Sequence, residues 1–129
     1  MKLVADTNTF IAVALNEPER ELIIKLTAGY DLIAPDVLPF EIGNALTAML
    51  KKGRLHADEV VSAWEVVRQI PVELRRTDIS FALGIAVRFG IYAYDAYFLE
   101  CAVGLRSPLI TLDRGMKTIA NNLDIPVLE

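Results

Sequence analysis

A three-layer α/β/α sandwich with a mostly parallel central sheet is the fold this sequence predicts. Three observations lead there. Short, almost wholly apolar runs alternate along the chain with longer segments whose apolar residues recur at helical spacing, the pattern of a parallel sheet connected through helices. No linker is long enough to separate two units, so residues 1–129 read as one domain. Two of the apolar runs end in an acid, which in such folds falls where chemistry collects, beyond the carboxyl ends of the strands.

The first strand is Lys2-Leu3-Val4-Ala5-Asp6, followed by a helix from about Thr9 to Leu15 that breaks at Asn16-Glu17-Pro18. Leu22, Ile23 and Leu26 place a helix over 19–28, with Gly29 as its stop. Asp31-Leu32-Ile33-Ala34 is a second strand closed by Pro35. Asp36 stands where an N-cap would, Pro39 falls in the first turn, and Leu38, Ile42, Ala45, Leu46 and Met49 make the apolar stripe of the next helix. Lys51-Lys52-Gly53 ends it with cations at the negative end of the dipole. His56 to Ile70 is amphipathic through Val60, Val61, Trp64 and Val67, and 71–74 fits a short strand. Asp78 opens a helix that Gly90 closes, and a further helix runs from Asp95 to Leu105. Leu109 to Leu112 is a buried strand ending at Asp113. A short helix over 115–121 and an edge strand at 126–128 finish the chain.

Composition narrows the function. The formal net charge is −4, the wrong sign for a passive nucleic-acid binder that works by neutralising phosphates. The charge is uneven: residues 1–50 hold three Lys/Arg against seven Asp/Glu, while 51–88 hold seven against five. Cys101 is the one cysteine, so no internal disulfide forms and a reducing, cytoplasmic setting is expected. No apolar stretch has the length of a membrane span or a signal peptide. His56 is the one histidine, which excludes His-rich metal sites and argues against a Ser-His-Asp triad.

Four carboxylates have positions that core formation does not explain. Asp6 and Asp113 end apolar strands, Glu41 interrupts the apolar start Leu38-Pro39-Phe40-Glu41-Ile42, and Asp95 opens a helix almost free of other charge. Each has a bland reading as a cap, a turn residue or a solvated flank. Together they do not. Two carboxylates about 4 Å apart repel by roughly 4 kcal/mol at an effective dielectric near 20, so a convergent set calls for protons or cations. Hard divalent cations take such oxygen ligands, and one or two of them can activate a water and stabilise the leaving oxygen of a phosphodiester.

The sequence resembles the PIN domain family, and within it the VapC-type ribonuclease toxins of toxin–antitoxin pairs. The resemblance runs through Val4-Ala5-Asp6-Thr7-Asn8-Thr9-Phe10-Ile11 and through Ala34-Pro35 leading to Glu41-Ile42-Gly43-Asn44-Ala45-Leu46. It continues in Tyr94-Asp95-Ala96-Tyr97-Phe98-Leu99 and Leu109-Ile110-Thr111-Leu112-Asp113-Arg114-Gly115-Met116. Each motif is weak alone; four in order, in a chain of the family's length, are specific. Asn8 stands where many relatives have Ser. The resemblance implies an endoribonuclease that leaves 5′-phosphate and 3′-hydroxyl ends. Asp6, Glu41, Asp95 and Asp113 would hold Mg²⁺ or Mn²⁺, and Thr7, Asn8, Asn44 and Thr111 would orient them. It also implies a homodimer and a small antitoxin whose C-terminal segment occupies the active-site groove.

RNA needs cations as well. Lys51, Lys52, Arg54, Arg75, Arg76, Arg114 and Lys117 are candidates for a phosphate-facing rim, each also readable as a solvated helix face. Among rivals, a haloacid-dehalogenase phosphatase wants an acid where Asn8 stands, and a receiver domain wants paired acids after the first strand and a late lysine. A non-catalytic module of the same fold has no reason to keep all four acids. A PIN nuclease of RNA processing outside a toxin pair shares every feature above.

Overall fold

In the computed structural model, which describes residues 1–129, a four-stranded parallel sheet is flanked by seven helices. The chain runs β1 (Lys2–Ala5), α1 (Thr7–Ala14), α2 (Arg20–Thr27), β2 (Asp31–Pro35), α3 (Leu38–Lys51) and α4 (Ala57–Val67). It continues with β3 (Glu73–Arg75), α5 (Ile79–Phe89), α6 (Ala93–Leu105), β4 (Leu109–Ile110) and α7 (Arg114–Asn122). The strand order is β3-β2-β1-β4. Leu3 lies opposite Leu32, Ala34 opposite Leu74, and Ala5 opposite Ile110. Helices α1, α3 and α4 pack on one another, while α5 packs on α6 and α6 on β1 and β2.

The apolar runs are buried for the reason the alternation suggested. A parallel sheet covered on both faces hides consecutive residues rather than every second one, and Leu3, Val4, Ile33, Ala34, Leu109 and Ile110 are all buried in one continuous core. Helix stops also follow the sequence. Gly90 ends α5 at φ +65, and Gly53 sits at φ +73 just past α3, a backbone region that residues with a Cβ enter only at a cost.

Several boundaries differ from expectation. Strand β1 stops at Ala5, because Asp6 turns out to be the N-cap of α1, which starts at Thr7 rather than Thr9. Asp36 does not cap α3: Val37 holds that position, and Asp36 instead accepts a hydrogen bond from the Thr77 hydroxyl at 2.9 Å. The helix beginning near His56 ends at Val67, short of Ile70, and the third strand is Glu73–Arg75. Helix α6 starts at Ala93, so Asp95 lies inside its first turn. Strand β4 is two residues long, and the C-terminal edge strand reduces to one bridge between Leu109 and Val127.

Arg75 is a second correction. Expected on a phosphate-facing rim, it instead reaches α6, where its Nη1 lies 3.4 Å from Glu100 Oε2 and donates to the Cys101 carbonyl at 3.3 Å. Glu100 is 3% exposed, and its other oxygen accepts the Asp78 backbone N–H at 2.8 Å. One buried carboxylate thus joins β3, the start of α5 and α6. Gly104 makes room for it, since a Cβ there would stand 2.7 Å from Arg75 Nη1. Gly104→Ala should destabilise the protein. In an Arg75→Ala background the same change should cost less, because only the contact with Glu100 Oε2 at 3.1 Å remains. Denaturant unfolding of the four proteins checks this; an equal loss in both backgrounds would refute it.

Candidate active site

The strand order places a topological switch between β1 and β4: the chain moves outward from β1 through β2 to β3, then returns to β4 on the other side. Such a switch opens a crevice at the carboxyl ends of the two strands. Helices that connect parallel strands run back against them, so the starts of α1, α3, α6 and α7 come to that same end of the sheet.

Asp6 sits at the base of the crevice, 6% exposed. Its Oδ1 accepts from the Thr9 backbone N–H at 3.2 Å and the Thr9 hydroxyl at 2.7 Å, and its Oδ2 accepts from the Thr111 hydroxyl. Thr111 in turn accepts the Asp113 N–H at 3.1 Å. The bond between Thr111 and Asp6 therefore ties the end of β1 to the segment after β4. Asp113 lies three residues beyond β4 and caps α7, its Oδ1 accepting from Gly115 N at 2.7 Å and Met116 N at 3.2 Å. The cap reading of Asp6 thus holds as local structure. Asp113, expected as a turn residue, is a cap as well, and Asp95 is not one, since Tyr92 caps α6.

Glu41 and Asp95 lie in the first turns of α3 and α6, where the positive end of the helix dipole favours a carboxylate. Neither makes a side-chain hydrogen bond within the chain. The four acids form an electrostatic series. Burial raises the Asp6 carboxyl above the ordinary range, the hydrogen bonds from Thr111 and Thr9 oppose this, and the charge of Asp113 adds to the rise. Asp95 is raised by burial and then by Asp113, and Glu41 by burial and then by Asp95. Asp113 thus acts on Asp6 and on Asp95, and Asp95 on Glu41, so the four follow one another as a row rather than a single cluster.

A raised carboxyl has a thermodynamic consequence. The folded state binds more protons than the unfolded one between the two pKa values, so stability falls as pH climbs from the usual Asp range, about 3.9, through the raised value of Asp6. Asp6→Asn, which keeps an N-cap acceptor, should therefore be more stable than wild type at pH 7 in EDTA. The gain should vanish below about pH 3.9. Denaturant melts at the two pH values test this, and a variant weaker at pH 7 would contradict it.

The donor set fits a hard divalent cation. All four groups are carboxylates, burial first and a neighbouring acid second raise Asp6, Glu41 and Asp95, and Glu41 and Asp95 have no partner inside the chain. No three acids stand close enough to form a closed cage. The match is to an ion held by one or two carboxylates with water completing its shell, the usual habit of Mg²⁺.

Of the four polar residues expected to orient the acids, Thr111 does hydrogen-bond to Asp6. Thr7 is buried with its hydroxyl unpartnered, and Asn8 and Asn44 are exposed and make no hydrogen bond to any acid. Sequence reasoning missed Thr9, which binds Asp6 through both backbone and hydroxyl. Its spacing of three residues from an acid that starts a helix was the available signal. Among the cations, Lys52 and Arg54 line a cleft of about 460 Å³ together with Asn8, Glu17 and Asp113. Lys51, Arg76 and Arg114 are exposed. Lys117 is paired with Glu129 at 3.1 Å, so it is not a free cation.

Known proteins share this fold. The family model described as PIN domain matches residues 3–122. Ribonuclease VapC3 of Pyrobaculum aerophilum is 27% identical over 119 residues, which cover 88% of this chain and 91% of that protein. The crystal structure of PAE2754 from Pyrobaculum aerophilum is similar with a TM-score of 0.68 at 23% identity, over 92% of this chain and 87% of that one. VapBC2 from Rickettsia felis, bound to a DNA fragment from the promoter, gives a TM-score of 0.68 at 15% identity over the whole of both chains. The two solved structures show the shared fold.

Proposed function

The chain belongs to the PIN domain family, and from that premise we propose that it is a metal-dependent endoribonuclease acting as the toxin of a toxin–antitoxin pair. The observation that carries this is the row of carboxylates Asp6, Asp113, Asp95 and Glu41, each repelling the next, at the carboxyl ends of the strands. The relationship to Ribonuclease VapC3 supports the choice of RNA and of the toxin setting.

Asp6, Glu41, Asp95 and Asp113 would hold Mg²⁺ or Mn²⁺, directly or through water, and the ion would supply activation of a water and neutralisation of charge on the leaving oxygen. Thr9 and Thr111 fix both oxygens of Asp6 in place, so this carboxylate does not reorganise as charge develops. Asp113 is held through its cap by α7, leaving its second oxygen without a hydrogen bond in the chain. Water adds to phosphorus as the bond to the 3′ oxygen breaks, leaving a 5′-phosphate and a 3′-hydroxyl. The test is cleavage of a labelled structured RNA with Mg²⁺ or Mn²⁺ and with EDTA. Cutting that survives EDTA, or that persists equally in Asp6→Ala and Asp95→Ala, would overturn the assignment.

The same reading makes residues 1–129 one domain working in the cytoplasm, with Cys101 buried as a reduced thiol whose pKa is pushed up to about 11 by burial. No single helix is long and apolar enough to cross a membrane. An antitoxin arm bearing Arg or Lys suits the acidic crevice.

A homodimer is part of the proposal, supported by α5. Ile79, Leu83 and Val87 recur at four-residue spacing and are 56%, 47% and 84% exposed, while Ala82, Ile85 and Ala86 face the core. An apolar stripe of this kind is suited to a second copy. Size-exclusion chromatography at high micromolar concentration should show a dimer, and Val87→Glu should shift it to monomer. A strict monomer for the unmodified protein would remove the dimer from the proposal.

A further inference from the structure

The cleft beside Asp113 gathers polar groups that the fold leaves unengaged. Asn8, Glu17, Lys52 and Arg54 all line it. None of these four side chains joins an ion pair, although both signs of charge are present, and none makes a side-chain hydrogen bond within the chain. In the cleft at the start of α5 the acids are engaged, Asp36 accepting from Thr77 and Asp78 from Phe81 N, and Arg76 is the one charged group without a partner. The remaining wall of the first cleft is apolar, with Ile11, Met49 and Leu112 contributing. A volume of about 460 Å³ is in the range of a small-ligand site. Its edge at Asp113 makes it continuous with the acidic crevice.

Resting on RNA as the substrate, we propose that this cleft receives one unpaired guanine nucleotide of the RNA, adjacent to the bond that is cut. Lys52 and Arg54 meet the phosphates of the strand as it leaves the acids, contacts that give affinity without sequence preference. Met49 and Leu112 offer an apolar surface to the face of the base. Glu17 meets its Watson–Crick edge. A carboxylate only accepts hydrogen bonds at neutral pH, and guanine is the base whose Watson–Crick edge offers two adjacent N–H donors, at N1 and N2. Uracil offers one donor flanked by two carbonyl oxygens that Glu17 repels. Because that edge is engaged by the protein, the nucleotide is unpaired, as sequence-specific recognition of RNA usually requires. A peptide occupant has less claim, since a basic arm would be repelled by Lys52 and Arg54.

The test measures binding of fluorescein-labelled hexaribouridylates carrying G, A, C, U or inosine at one central position, by anisotropy in EDTA. The G oligomer should bind about tenfold more tightly than the all-U one, the order of discrimination a good bidentate contact gives. Inosine, which lacks the N2 amine, should fall between. Glu17→Gln should abolish the preference. Lys52→Ala/Arg54→Ala should weaken every oligomer alike and reduce the slope of log affinity against log salt by about 1.4, the value for two lost phosphate contacts on a single strand. Equal binding of all bases, or a guanine preference kept in Glu17→Gln, would overturn the base assignment. An unchanged salt slope would overturn the phosphate assignment, and no RNA binding at all would leave the cleft to a peptide. Binding is read without metal or turnover. A selective but inactive protein would therefore sink the nuclease reading alone, and an active but unselective one would sink this inference alone.

Discussion

Asp6→Asn and Asp95→Asn should each lower metal-dependent RNA cleavage by about 10²–10³-fold, the usual consequence of removing one preorganised group that stabilises transition-state charge. Both substitutions are nearly isosteric and neither removes a core side chain. Asp6→Asn keeps the acceptor for Thr9 and presents an amide to Thr111, whose hydroxyl can accept as well as donate. The stability gain expected of Asp6→Asn at pH 7 separates lost chemistry from lost structure: a variant that melts higher yet cuts 10²-fold more slowly has lost a functional carboxylate. Single-turnover rates across a Mn²⁺ titration provide the measurement. Rates within threefold of wild type at saturating metal would remove these carboxylates from the reaction.

The second large effect concerns the fold. Arg75→Ala should destabilise the protein by about 3 kcal/mol, the low end of the loss when one partner of a buried pair is removed, because Glu100, at 3% exposure, would be left with no cation beside it. For a chain of this size that lowers Tm by about 10 °C. The lower figure is chosen because the arginine side chain is 34% exposed, so water softens the loss. Adding Glu100→Gln should recover most of the stability: the amide oxygen still accepts the Asp78 N–H, and no uncompensated charge remains. Urea unfolding of wild type, the single variant and the double variant decides it. An Arg75→Ala protein within 0.5 kcal/mol of wild type, the range of ordinary surface substitutions, would show that the pair contributes little.

These two predictions rest on acids of different legibility. Asp6, Glu41, Asp95 and Asp113 were readable from the sequence because each interrupts an apolar pattern. Glu100 interrupts one too, between Leu99 and Cys101, yet its partner is 25 residues away. An isolated acid in an apolar run signals that something must compensate it, without saying whether that is a cation from solvent or an arginine from another strand.

The alternation of strands and helices, the helix ends at Gly53 and Gly90, the parallel sheet and the four acids were all legible along the chain, because each depends on local spacing or on the residue's own chemistry. The tertiary structure alone decided which side chains are engaged and which are free. Thr9 and Thr111 both meet Asp6, though they stand 102 residues apart, because β1 and β4 are neighbours in the sheet. Arg75 and Lys117 were equivalent to Lys52 and Arg54 as cations in a sequence. Folding placed the first two against Glu100 and Glu129 and left the other two open to the cleft. Charge is a property of a residue, but its availability depends on what the fold sets within hydrogen-bond reach.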